Sequence, residues 1–160
     1  MKISKYTAII AAVAVAGVFS SCENGENEFP DFEDGVSVYF AKQYPVRTLV
    51  MGDDTYDTSL DNAHRCRIYA TMGGAYKGRD ITLEIEGAPN LVEHLTWDGT
   101  RPVKAMPESY YKLGSNTISY GGSHMGYVEV ELTDAFFADP EALANNYVIP
   151  VVIKSQKGAD

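Results

Sequence analysis

Residues 65–72 read Arg-Cys-Arg-Ile-Tyr-Ala-Thr-Met, and Gly73-Gly74 follows. Cys66, Ile68, Ala70 and Met72 fall on one side of a period-two pattern. Arg65, Arg67, Tyr69 and Thr71 fall on the other. That alternation predicts a half-buried strand closed by a glycine turn, not a helix. The same rhythm recurs outward in both directions. Val36, Val38 and Phe40 alternate with Ser37 and Tyr39, and Ile81, Leu83 and Ile85 with Thr82, Glu84 and Glu86. Val128, Val130 and Leu132 alternate with Tyr127, Glu129 and Glu131.

Shorter candidates lie between these strands. Arg47–Met51 is a second-strand candidate after Pro45, and Gly52–Asn62 reads as a polar loop. Leu95–Trp97 stops at Asp98-Gly99, a turn dipeptide. Tyr110–Leu113 and Asn116–Tyr120 flank Gly114. Asp134–Asn146 is the helical candidate, with Asp139 as N-cap and Pro140 at the first helical position. Tyr147–Ile153 is apolar on both faces, which predicts a central strand, with Pro150 marking a bulge or edge. Seven or eight short strands separated by turn signals predict an all-β antiparallel sandwich with one short helix near the C-terminus. Ile68, Val130 and Ile149 are expected in its core.

The N-terminus reads as an address. Lys2 and Lys5 precede an apolar run, Tyr6–Phe19, then Ser20, Ser21 and Cys22. Basic, apolar and small residues in that order make a secretory signal peptide. The run is shorter than the ~20 residues a transmembrane helix needs. The cysteine after small residues resembles the bacterial lipobox in the loose form common in Bacteroidetes, which implies cleavage before Cys22 and its acylation. The bilayer would then be a partner through Cys22, held firmly only by two or more acyl chains. The expected division is a lipoprotein signal peptide over 1–21, an acidic flexible tether over 22–34 and the β-sandwich domain over 35–160. The tether, Glu23–Asp34, is too polar to fold alone. An acidic run after a lipidated cysteine resembles the export signal of Bacteroidetes surface lipoproteins, which implies the outer face of the outer membrane.

Composition narrows the function classes. The chain of 160 residues has formal net charge −9. Without its first 21 residues it is still long enough for one domain with a real core, burying ~68% of its unfolded surface. Such acidity argues against nucleic acid, because nothing neutralises phosphates. With Cys22 acylated, Cys66 has no partner for a disulfide framework.

Two stretches, YPVRTLVMGDDTYDTSLDNAHRCRIYATMGG (44–74) and MPESYYKLGSNTISYGGSHMGYVEVELTDAFFADPEALANNYVIPVVIKS (106–155), together with the lipoprotein head, resemble one Bacteroidetes family. It is the immunoglobulin-like domain of unknown function found at the N-terminus of surface lipoproteins. The resemblance covers roughly residues 35–155. Its members commonly continue into a glycan-binding module or a barrel resembling glycoside hydrolase family 18. The resemblance therefore implies glycan binding or presentation in a glycan-utilisation system. Two alternatives stand beside it: a spacer or protein-interaction module of an outer-membrane complex, and the N-terminal part of a larger glycoside hydrolase.

The chemistry-bearing candidates are few. The D-x-x-D-x-D-x-E run of family 18 is absent, and no pair of carboxylates is singled out for glycosidic chemistry. Gly122-Ser123-His124 lacks the final glycine of the G-x-S-x-G elbow and lies between two strands, so it reads as a hairpin. Asp53, Asp54, Asp57 and Asp61 form an acidic loop without the glycine and terminal Glu of an EF-hand. His64, His94 and His124 lack metal-ligand spacing. Neither a metal nor a cofactor is called for, and no catalytic residue. What remains is aromatic: eleven tyrosines and one tryptophan. Tyr39, Tyr69 and Tyr127 fall on outward positions and Trp97 at a strand end, so these four are the glycan-binding candidates.

Overall fold

The computed structural model describes residues 35–41, 49–144 and 147–159. Among these, alternation drives the architecture. β1 (Ser37–Phe40), β2 (Arg65–Gly73), β7 (Tyr111–Leu113) and β9 (Met125–Leu132) form an antiparallel four-stranded sheet in the order β1-β2-β9-β7. β3 (Thr82–Gly87), β8 (Thr117–Ser119) and β11 (Val151–Lys157) form an antiparallel three-stranded sheet in the order β11-β3-β8. The inner faces meet in one core: Ala70, Met72 and Val128 from the first sheet, Leu83, Ile85 and Ile118 from the second, with Ile81 and Tyr120 beside them. The protein is an all-β antiparallel sandwich, and burying each large aliphatic side chain in it contributes about 1.5–3 kcal/mol.

Two small pairs lie outside the sandwich sheets. β4 (Thr96–Trp97) and β5 (Arg101–Pro102) make a hairpin across Asp98-Gly99. Both turn residues have positive φ, 49° and 77°. Asp98 is held there by bonds from Thr100 Oγ1 and the Arg101 N–H to its carboxylate. β10 (Tyr147–Val148) runs parallel to β6 (Lys104–Ala105).

Several sequence expectations need correction. Leu49–Met51 is not a strand, and the beginning of that candidate, with Pro45, lies outside the described residues. The 52–62 loop ends in a one-turn helix, α1 (Ser59–Asn62). The helix expected over 134–146 is α2 (Asp134–Ala138), and it stops where a start was expected. Asp139 precedes Pro140, which pushes it out of the helical region to φ −91°, ψ 116°. Asp139 does cap the turn that follows Pro140, its carboxylate accepting the Glu141 N–H and its carbonyl the Ala142 N–H. That turn is 3-10, over Ala142–Ala144, and not an α-helix. The 147–153 candidate is not one central strand. The chain changes sheets at Ile149-Pro150, where the Pro150 carbonyl accepts the Ala88 N–H, and β11 is the outer strand of its sheet. Val130 is fully buried as expected, whereas Ile68 and Ile149 are only half-buried.

The domain also closes on itself. The Val36 N–H donates to the Ala159 carbonyl at 3.4 Å, so the start of β1 and the end of β11 lie side by side.

Candidate functional site

The register of β1, β2 and β9 decides what the outer face of the four-stranded sheet presents. On β2 and β9, Arg65 faces Glu131, Arg67 faces Glu129, Tyr69 faces Tyr127 and Thr71 faces Met125. On β1, Tyr39 faces Thr71. Since residues two apart share a face, the outer surface divides into a charged half and an aromatic half.

In the charged half, Arg67 meets Glu129 at 3.0 Å, Arg65 lies 3.8 Å from Glu129 and 3.7 Å from Glu131, and Lys112 lies 3.9 Å from Glu131. Exposed pairs of this kind are worth about 0–1 kcal/mol each. Opposite charges directly across from one another do favour this register over a slipped one. An open, polar cleft of about 340 Å³ lies at this end, lined in part by His64, Arg65, Lys112, Glu131 and Asp134.

In the aromatic half, the Tyr69 and Tyr127 rings are tilted at 54° with centroids 5.5 Å apart. Arg67 sits on the border, its guanidinium carbon 4.2 Å from the centre of the Tyr127 ring. That cation–π contact is worth about 0.5–1 kcal/mol at an exposed site. The Tyr69 hydroxyl, then Glu129, raise the Arg67 pKa by favouring its charged form. Arg67 thus ties both tyrosines to the charged ladder. Tyr39, Tyr127 and Met125 remain 43%, 45% and 46% exposed. From the core side, the Tyr120 hydroxyl donates to the Thr71 carbonyl at 2.8 Å and pins β2 beneath the platform. Burial, with a smaller contribution from Tyr39, pushes the Tyr120 phenol up to about 12.

Three of the four aromatic candidates therefore share one face: Tyr69 and Tyr127 are in ring contact, while Tyr39, opposite Thr71, lies with its ring over Gly73. Trp97 does not join them. It lies half-buried on the β4–β5 hairpin, and its indole Nε1 is buried with no hydrogen-bond partner among the described residues. Arg67, Thr71 and Met125 belong to the same surface but were not singled out by sequence. Their signal was only the outward phase of their strands.

The remaining candidates have local duties. Asp54 accepts from the Thr55 N–H and hydroxyl, and Asp57 from the Ser59 hydroxyl and N–H, which hold Asp57 below its usual pKa. Asp61 is buried and accepts the Val50 N–H. Among the described residues, no three His, Cys, Asp or Glu side chains gather as a metal site would require. His64 packs on Phe137 at 4.2 Å between ring centroids, and His124 Nε2 contacts the Tyr76 carbonyl at 3.0 Å. Ser123 and His124 sit in the β8–β9 turn, where the Ser123 N–H donates to the Tyr120 carbonyl.

One polar cluster had no sequence signal. The Asp139 carboxylate accepts the Tyr147 hydroxyl at 2.7 Å and the Tyr110 hydroxyl at 3.1 Å. The Tyr147 bond, then the Glu141 N–H, lower the Asp139 pKa, and Asp139 in turn raises both phenols. The two phenols, edge-to-face with centroids 5.7 Å apart, lock the α2–β10 connection to the start of β7.

A family model described as "-like, N-terminal domain" matches residues 31–160. Among solved structures, the crystal structure at 2.40 Å of a structural-genomics protein of unknown function from Bacteroides ovatus is similar, with TM-score 0.75 and 39% identity. The match covers 82% of this chain and 42% of that one, so this chain spans under half the length of that relative. No curated protein matches.

Proposed function

Because the chain belongs to this Bacteroidetes family of N-terminal domains of unknown function, we propose that it is a non-catalytic module of a cell-surface lipoprotein, binding or presenting glycans through its tyrosine face. The observation that carries this reading is the gathering of Tyr39, Tyr69 and Tyr127 on one exposed sheet surface. Single exposed aromatics are ordinary. Here three share one face, and Arg67 braces two of them, Tyr69 and Tyr127. Sugar rings carry C–H faces that pack on such rings, and tyrosine offers that area at low entropic cost.

Two features weigh against the alternatives. A spacer gains reach by placing entry and exit at opposite ends, yet Val36 and Ala159 are joined by a backbone bond. A glycosidase needs a general acid with a raised pKa. Among the described residues, the carboxylates with shifted titration, Asp57, Asp98 and Asp139, are all lowered. The family's N-terminal position and the shorter span of this chain leave room for a catalytic or binding partner domain in longer relatives.

Anchoring at Cys22, which lies outside the described residues, is part of the proposal. Mass spectrometry of the membrane fraction is expected to find the mature chain starting at acylated Cys22, and Cys22→Ala to release it or leave it unprocessed. An unmodified Cys22 at another N-terminus would end the lipoprotein reading.

The glycan reading is tested by calorimetry against a broad glycan panel. Expected dissociation constants are ~0.1–1 mM, or about 4–5.5 kcal/mol. Tyr127→Ala is expected to weaken binding at least tenfold, about 1.4 kcal/mol, without unfolding the domain. No heat from any glycan at millimolar concentration would leave a protein-interaction role standing.

A further inference from the structure

Resting on the tyrosine-face reading, we infer that Arg67 is the positioning residue of that site: its planar guanidinium sets the Tyr69 and Tyr127 rings in their binding geometry, and it acts on the ligand through them. The first ground is the set of contacts that this one group makes. Nε and Nη2 both donate to Glu129 Oε1, at 3.3 Å and 3.0 Å. The guanidinium carbon lies 4.2 Å from the centre of the Tyr127 ring. The Tyr69 hydroxyl accepts a bond from the same group. The two rings are themselves in contact, with centroids 5.5 Å apart and planes tilted at 54°. A carboxylate, a ring face and a phenol oxygen thus meet at one side chain.

The second ground is how the guanidinium is held. The register puts Arg67 directly across from Glu129 and one row before the Tyr69–Tyr127 pair, on the same face. Glu129 is steadied in turn through its other oxygen, 3.8 Å from Arg65 Nη1. Of the three cations in this ladder, Arg67 is the most sheltered, with 32% of its side chain exposed against 47% for Arg65 and 72% for Lys112. Each contact alone is small. Because they share one rigid fork, they are coupled, and losing one loosens the others. A lysine does not reproduce the set. Its ammonium is a point charge on a flexible stem, which keeps a pair with Glu129 and gives up the flat contact with the ring. Rings that are already ordered spare the ligand the entropy of ordering them.

The intact chain and its Arg67→Lys, Arg67→Ala and Glu129→Gln variants test this, first without ligand. Nuclear magnetic resonance is expected to find the Arg67 side-chain protons shifted upfield by the Tyr127 ring current. Both Arg67 variants should move the Tyr69 and Tyr127 ring signals and change the near-ultraviolet circular dichroism of the pair, while the far-ultraviolet spectrum shows the fold intact. Ring signals unmoved in both variants would refute the positioning role. Calorimetry then reads affinity, with cellohexaose, mannohexaose and hexagalacturonate as probes. Arg67→Lys is expected to weaken binding about three- to tenfold, nearly as much as Arg67→Ala. Glu129→Gln, away from the rings, should weaken it by a smaller factor. Wild-type affinity in Arg67→Lys would overturn the inference. So would a loss in Arg67→Ala larger than that in Tyr127→Ala, because Arg67 would then touch the ligand itself. Affinity indifferent to Tyr127→Ala, or no heat from any glycan, would remove the tyrosine-face reading, and the role of Arg67 in binding with it, even where the ring signals move.

Discussion

Replacing Gly126 with alanine isolates the packing of the two sheets. Glycine inside a strand costs roughly 0.5–1 kcal/mol relative to alanine, so local propensity alone predicts that Gly126→Ala stabilises β9. The surroundings predict the reverse. A Cβ at Gly126 would stand 2.4 Å from the Ser119 carbonyl oxygen, 2.8 Å from Ile118 Cγ2 and 2.9 Å from the Ser119 carbonyl carbon. Two of these atoms are backbone of β8, and the third belongs to a fully buried side chain. The shortest contacts fall about 1 Å below ordinary separation for packed atoms, so β8 and β9 must part. Overpacking a close-packed site costs about 1–3 kcal/mol, and backbone neighbours place this one at the upper end. After the propensity gain the net loss is about 1–2.5 kcal/mol, or a melting temperature lower by roughly 3–12 °C. Gly87→Ala is the control, because nothing lies within 4 Å of its Cβ and its φ is not left-handed. It is expected to be neutral or to stabilise by about 0.4–1 kcal/mol. Urea unfolding followed by circular dichroism reads both variants as midpoint shifts at constant slope. Gly126→Ala at or above wild-type stability would refute the close approach of β8 to β9.

Three further outcomes concern titration. Asp139 has a lowered folded pKa, so its contribution is present above about pH 3.8 and is lost as pH falls through the folded value. Asp139→Asn should flatten the acid limb of a stability–pH curve, and an unchanged limb would exclude the link. Tyr147 is raised, so its contribution is complete below pH 10.0 and is lost as pH rises through the folded value. Tyr147→Phe should therefore flatten the alkaline limb. Tyr120→Phe should remove an ionisation near pH 12 from the ultraviolet titration, and it should loosen β2 by deleting the bond to Thr71.

The strands themselves were legible because alternation is a local signal, and β2, β3 and β9 carry it over six to nine residues. Asp98-Gly99 was legible for the same reason, as a turn needs only its own backbone. Pairing was not local. That Tyr69 meets Tyr127 depends on β9 lying beside β2 in one register, and neither strand states its partner. The phase of each strand did place Tyr39, Tyr69 and Tyr127 outward, but Arg67 acquired its bracing role only through that pairing. The helix near Asp139 was misplaced because Asp-Pro serves both as a helix start and as a stop. Pro140 ends α2 at Asp139, whose carboxylate then takes two phenols, one of them 29 residues away in sequence. Trp97 reads the same from sequence whether its ring projects from the hairpin or folds against it.

The most direct test of the tyrosine face is a titration of the isotope-labelled chain with a neutral hexasaccharide, followed by amide and aromatic chemical shifts. The expected perturbations centre on Tyr39, Tyr69, Thr71 and Tyr127, with the Tyr69 and Tyr127 ring signals moving most. Perturbations confined to the hairpin around Trp97, or to the cleft beside Lys112 and Asp134, would contradict that placement of the site.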